Sequence, residues 1–266
     1  MTRRSHLVWI PLGAVVGFLT SFLFGDLITL PVDLYYLIYF AIIIGFLTVY
    51  VVQTELPLRA WLAKRWKWGI VLGVVVGAVM MQNVLARPET ERFTGTALAG
   101  AVLWRGVVYG VVDGVLLYTF PWIVVWRAFD AEERRLGGKV RAAMLSWLAI
   151  LLITTTYHLG YADFRSEKIV QPNVGSAIMA VPTLAAASPV ASPITHVFLH
   201  VTAVVHSPRT DLFLPPHREN VYAFRRAGPR ADVLPVLSSS REKRPSGQDR
   251  RSVGKREPDE SHWRAE

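Results

Sequence analysis

The chain reads as an all-α, polytopic transmembrane helix bundle of about six spans, followed by a polar, largely disordered tail. Three observations lead to that class. Of the 266 residues, 52% are apolar and 18% are charged, against roughly 25% charged in ordinary soluble domains. The apolar residues gather in runs of about 20, the length a helix needs to cross a bilayer. Lys and Arg concentrate in alternate loops, the pattern of a topology set by positive charge. The same composition, with no cysteine, excludes a disulfide scaffold, a coiled coil and a wholly disordered chain.

The first apolar run, 7–25, follows Arg3 and Arg4. It is longer than the h-region of a signal peptide (roughly 7–15 residues) and lacks a small-residue cleavage site, so it reads as an uncleaved span. The second, 34–52, begins after Pro31 and Asp33, and the third is 69–86. The fourth apolar region, 94–126, is apolar except for Arg105 and Asp113. A straight helix of that length is about 50 Å long, so the span is set at 97–126, beginning outside the hydrocarbon or breaking near Gly106. The fifth span is 142–161. The sixth region, 169–206, contains Pro172, Pro182, Pro189 and Pro193. It is expected to be one broken span at 174–206, or a re-entrant segment and then a span. Irregular backbone at membrane depth survives only where protein or a wet cavity surrounds it, so this region is the expected place for a site. Residues 207–266 hold 13 basic and 9 acidic residues with many Pro and Ser, the composition of a disordered tail.

The basic loops are the N-terminus, 59–67 and 127–141. Together with the basic tail they place both termini in the cytoplasm of a cell membrane protein. The net charge of +9 is thus mostly topology. It implies a lipid bilayer as partner, with anionic headgroups within reach of the tail, and no nucleic acid; oligomeric state is not legible. Trp66 and Trp68, and Trp122 and Trp126, stand beside cations as interfacial anchors. Gly69, Gly73 and Gly77, Gly106, Gly110 and Gly114, and Gly13 and Gly17 form four-residue stripes where helices approach closely. Packing within one chain is the plainer reading of them; a gating or dimer contact is the other.

Ionisable groups inside spans are functional candidates by default. Arg105, Tyr109 and Asp113 recur at intervals of four and share a helix face. His196 and His200 have the same spacing, and two imidazoles so placed can hold one metal ion such as zinc. A third ligand would come from another helix, from His158 or Asp113. With no metal, the pair would serve packing or proton handling. No P-loop, dinucleotide-binding glycine turn, nucleophile elbow or paired-cysteine motif is present, which argues against ATP-driven, nicotinamide-dependent and thiol chemistry.

Leu103-Trp104-Arg105-Gly106, Thr154-x3-His158 and His196-x3-His200 together resemble, in degenerate form, the motifs of the CPBP intramembrane proteases, which process CAAX proteins and bacteriocins. The likeness covers about 95–206. It implies catalytic roles for Arg105, His158, His196 and His200; the metal expected from the helical spacing would sit on His196 and His200 with His158. The family's two glutamates fall at Gly100 and Ala101, so its general base is missing, with Asp113 as substitute. The stretch HVFLHVTAVVHSPRTDLFLPPH at 196–217 also resembles uncharacterised prokaryotic multi-pass membrane proteins, and residues 211–217 are expected to cap the bundle. Three functions remain in view. The first is an intramembrane enzyme or pseudo-enzyme, with Arg105 and the three histidines converging. The second is a small transporter or channel, with Arg105 and Asp113 lining a polar path. The third is a scaffold acting through the tail.

Overall fold

The computed structural model describes residues 3–209 and 213–215, which belong to one compact unit. The rest of the expected tail lies outside the described residues. All regular structure among the described residues is helical. Among the described residues, six helices are long and apolar enough to cross a membrane: α1 (Ser5–Leu27), α2 (Val32–Gln53), α4 (Trp66–Leu85), α5 (Gly95–Ala128), α6 (Leu136–Leu159) and α7 (Glu167–Ala186). A short helix, α3 (Leu58–Ala63), precedes α4, and α8 (Ala191–His206) follows α7. The long helices keep large apolar residues exposed, among them Leu12 and Val15 on α1, Leu37 on α2, Val75 and Val79 on α4, and Leu148 on α6. Outside a bilayer such a surface would drive aggregation; inside one it meets lipid.

Helix α5 is much the most buried span and does not break at Gly106. Instead it loosens into π-helix twice, over Val102–Val108 and Val115–Thr119. The short α-helical piece between them, Tyr109–Gly114, carries Asp113. Such local widening keeps the backbone hydrogen-bonded while turning the face that follows, and it recurs at functional sites.

The sixth region is two helices, not one broken span. Neither Pro172 nor Pro182 divides it. The chain turns at Ala187, which has φ +47° and ends α7, and at Pro189, whose carbonyl accepts a 2.6 Å bond from Thr119. Helix α8 then runs back through the bundle. It lies parallel to α4, with Gly69 beside Val190, Gly73 beside Ile194 and Gly77 beside Phe198. It lies antiparallel to α5, with Gly114 beside Pro193, Gly110 beside Val197 and Gly106 beside Val201. Both glycine stripes therefore grip one helix from two sides, and Gly13 and Gly17 of α1 receive Phe120 and Tyr157. All of these contacts are made within the chain. A Cβ at Gly110 would sit 2.8 Å from the Val197 Cα, so only glycine permits this approach.

The N-terminal turn packs on the end of α5 near Trp126. At the far end of α8, His206 Nε2 donates to the Arg87 carbonyl beyond α4 (2.8 Å), and the His206 carbonyl meets the Thr90 N–H. The described chain thus starts at one end of the bundle and leaves at the other. The expected return of both termini to one side concerns a C-terminus that lies outside the described residues.

Candidate metal centre

Three side chains meet in the interior where α5 and α8 cross. Asp113, His196 and His200 are each at most 4% exposed, and one potential ligand atom from each lies within 4.8 Å of the others. The i, i+4 spacing puts both imidazoles on one face of α8, with ring centroids 4.6 Å apart. Gly110 and Gly114 allow α5 to approach closely enough for Asp113 to reach them. His196 Nε2 donates to Asp113 Oδ2 at 2.8 Å, and the Tyr39 hydroxyl donates to the other carboxylate oxygen at 2.5 Å. His196 Nδ1 and the ring nitrogens of His200 make no hydrogen bond of ordinary geometry among the described residues, although the Phe213 backbone lies close enough to interact with His200.

Orphaned buried polar atoms are costly, about 1–3 kcal/mol each. Two buried imidazoles beside one buried carboxylate form a donor set that a cation would satisfy. An imidazole pair with a carboxylate is a donor set used for zinc, with a fourth position left for water or substrate.

A tyrosine shell surrounds the cluster. Tyr109 lies edge-on to His200 and Tyr118 is tilted against His196. The Tyr109 and Tyr157 hydroxyls are 2.8 Å apart and those of Tyr157 and Tyr161 are 3.0 Å apart. Tyr161 also bonds the hydroxyl of Tyr35. Tyr118 bonds Ser176 of α7 at 2.8 Å, and Ser176 in turn donates to Thr154 at 3.2 Å. The cluster and this shell line a cavity of about 390 Å³. It extends to Asn83 and Arg87 at the end of α4 and to Gln171 at the start of α7, and Phe213, Leu214 and Pro215 lie along its wall. Of the expected capping segment 211–217, these three residues are the described part. They lie at the end of the bundle away from the N-terminus.

The other expected site residues stand elsewhere. Arg105 makes a side-on pair with Asp33 of α2, Nε and Nη2 each 3.0 Å from a carboxylate oxygen, and covers the Phe93 ring. That pairing draws it out toward the end of the bundle, and it does not converge with the histidines. Nor do Arg105 and Asp113 line one path, since Asp113 is turned into the cluster. His158 lines the cavity, but its Nδ1 donates to the Thr154 carbonyl one turn back at 2.8 Å and its ring packs on Phe164. The third member of the cluster is Asp113, not His158. Apart from Tyr109, the tyrosines were missed in the sequence. Their signal was a four-residue recurrence, Tyr35 and Tyr39 on α2 and Tyr157 and Tyr161 on α6, which places hydroxyls on one face of each helix.

No protein-family model, curated protein or solved structure matches the chain.

Proposed function

We propose that the protein is an intramembrane metal-dependent hydrolase. Asp113, His196 and His200 would hold one divalent ion of the zinc class. The observation that carries this reading is the buried cluster of two imidazoles and one carboxylate that lines a cavity. A bound zinc ion supplies a hydroxide nucleophile near neutral pH and polarises a carbonyl. The chain's own residues do the rest. Tyr39 holds the Asp113 carboxylate in orientation, a support of the kind that tunes metal affinity. Tyr118 sets the plane of the His196 ring. The CPBP resemblance enters here as a shared reaction class, peptide or ester hydrolysis within the membrane. In that family the glutamates activate the water; at Gly100 and Ala101 there is no such group, and the metal would take over that role.

The test is metal analysis of detergent-purified full-length protein, wild type beside His196→Ala/His200→Ala. Stoichiometric zinc, lost in the variant, is the expected result. Stoichiometric iron would replace hydrolysis with oxygen chemistry, for which two histidines and one carboxylate are also a known set. No metal in the wild type after growth with added zinc would overturn the reading.

The cavity is assigned to the non-cytoplasmic face. Arg59, Lys64, Arg65, Lys67, Arg127, Arg134 and Arg135 gather at the N-terminal end of the bundle. At the other end four arginines are paired with acids: Arg105 with Asp33, Arg165 with Asp26, Arg92 with Glu89 and Arg209 with Glu91. The positive-inside rule then puts the N-terminus in the cytoplasm and residue 207 outside. Because the chain has no cysteine, Arg209→Cys, at the exposed position just beyond α8, and Ser5→Cys can be labelled singly in intact cells of a host with one plasma membrane. An impermeant maleimide should reach only the first. Protection of both would return the tail to the cytoplasm and refute a crossing by α8.

A further inference from the structure

The second hollow of the molecule lies on the other side of α8. Helices α2 and α4 share no extended contact, and the gap between them is floored by Val111 and Val115 of α5 and by Ile194 and Val197 of α8. The resulting groove encloses about 870 Å³ and is lined almost wholly by apolar side chains. An apolar hollow of this size does not hold water, and left empty it forfeits dispersion contacts along every wall.

Its length narrows the choice of occupant. From Val190, at the start of α8, to Phe198 it covers eight residues, about 12 Å, and from Val111 to Ile123 on α5 twelve residues, about 18 Å. That is close to half of the roughly 30 Å hydrocarbon core, the depth of a single leaflet. A helix from a second copy would need a seat along the whole core.

The chemistry of the groove's mouth narrows it again. The mouth is formed by Trp61, Leu62 and Trp66 at the α3–α4 corner, the end carrying the N-terminus. The first N–H groups of the 20-residue helix α4 begin there, and no side chain caps them. Such a terminus attracts anions. Arg65 and Lys67 belong to its first turn and Arg59 to α3 just before it, and among the described residues no carboxylate pairs with any of them; Lys64 of the same corner is matched by Glu132.

We propose that this groove binds one anionic phospholipid of the cytoplasmic leaflet. Its acyl chain lies between α2 and α4, and its phosphate sits at the N-terminus of α4 against Arg59, Arg65 and Lys67. The site is separate from the metal cavity, and its lipid fills the gap behind α8.

Full-length protein is reconstituted in nanodiscs of phosphatidylcholine doped with phosphatidylglycerol, and retained lipid is identified by native mass spectrometry after release into detergent. One phosphatidylglycerol per chain is expected to survive release. Arg59→Gln/Arg65→Gln/Lys67→Gln, all at the surface, should lower that retention on the order of a hundredfold, given what each basic group near a membrane contributes. Arg87→Gln, at the opposite end, should leave it unchanged. Ile194→Trp, which fills the groove, should abolish retention with all cations present. If it unfolds the bundle, the charge variant carries the test alone. Equal retention of phosphatidylcholine, no retained lipid, or a dimer held through the groove would each overturn the proposal.

Discussion

On one face of α8, His196 and His200 look with Asp113 into a cavity shelled by tyrosine hydroxyls. One residue further round, Val197 and Pro193 floor a groove lined by Ile44, Leu47 and Phe120. Adjacent residues on a helix differ by about 100° in direction, so His196 and Val197 serve opposite environments with no chain between them. The polar side is set by a few groups that must find each other, and the apolar side by the absence of a neighbour. Both depend on the rotation of α8 about its axis. That rotation is held by glycine contacts on α4 and α5, since a helix seated against backbone has little freedom to roll.

The largest effect should come from breaking that seat. Gly110→Leu would place side-chain atoms where the Val197 backbone lies. It should cost at least the roughly 1–3 kcal/mol typical of overpacking and abolish metal and lipid binding together. Thermal unfolding in detergent with metal analysis reads both. The control is Gly100→Ala on the same helix, where nothing lies within 4 Å of the added methyl group and stability should hold or rise slightly. Loss of only one ligand in Gly110→Leu would show that the two hollows do not share a common register. A smaller and one-sided effect is expected of Tyr39→Phe. It removes the hydroxyl on Asp113 while keeping the ring, and should weaken metal binding about 10–100-fold in competition with a chelator. Lipid retention should stay unchanged. An unaltered metal affinity would mean that Asp113 is oriented without Tyr39.

Much of the bundle was legible in the sequence. The runs at 7–25, 34–52, 69–86 and 142–161 all fall within or largely within long helices of the structure, because helix formation in lipid is enforced by the backbone's own hydrogen bonds. The glycine spacing announced close packing, and the interval from His196 to His200 announced a shared face. The end of the sixth region was not legible. Four prolines offered several places to break, and the turn fell at Ala187–Pro189, where Thr119 of α5 holds the Pro189 carbonyl. Asp113 and His158 were equally available as third ligand. Which of them joins the cluster depends on how closely α5 can approach α8, and hence on Gly110 and Gly114.

Composition and periodicity by themselves determined that the chain is helical, that it belongs in a membrane, and which residues share a helix face. These follow from interactions between near neighbours and between each helix and its solvent. Tertiary structure alone decided that α8 traverses the bundle, that Arg105 pairs with Asp33 instead of meeting the histidines, that Asp113 does meet them, and that α2 and α4 leave a groove. Those outcomes depend on contacts between residues some 70 to 120 positions apart. At such separations the spacing of residues along the chain carries no information about distance in space.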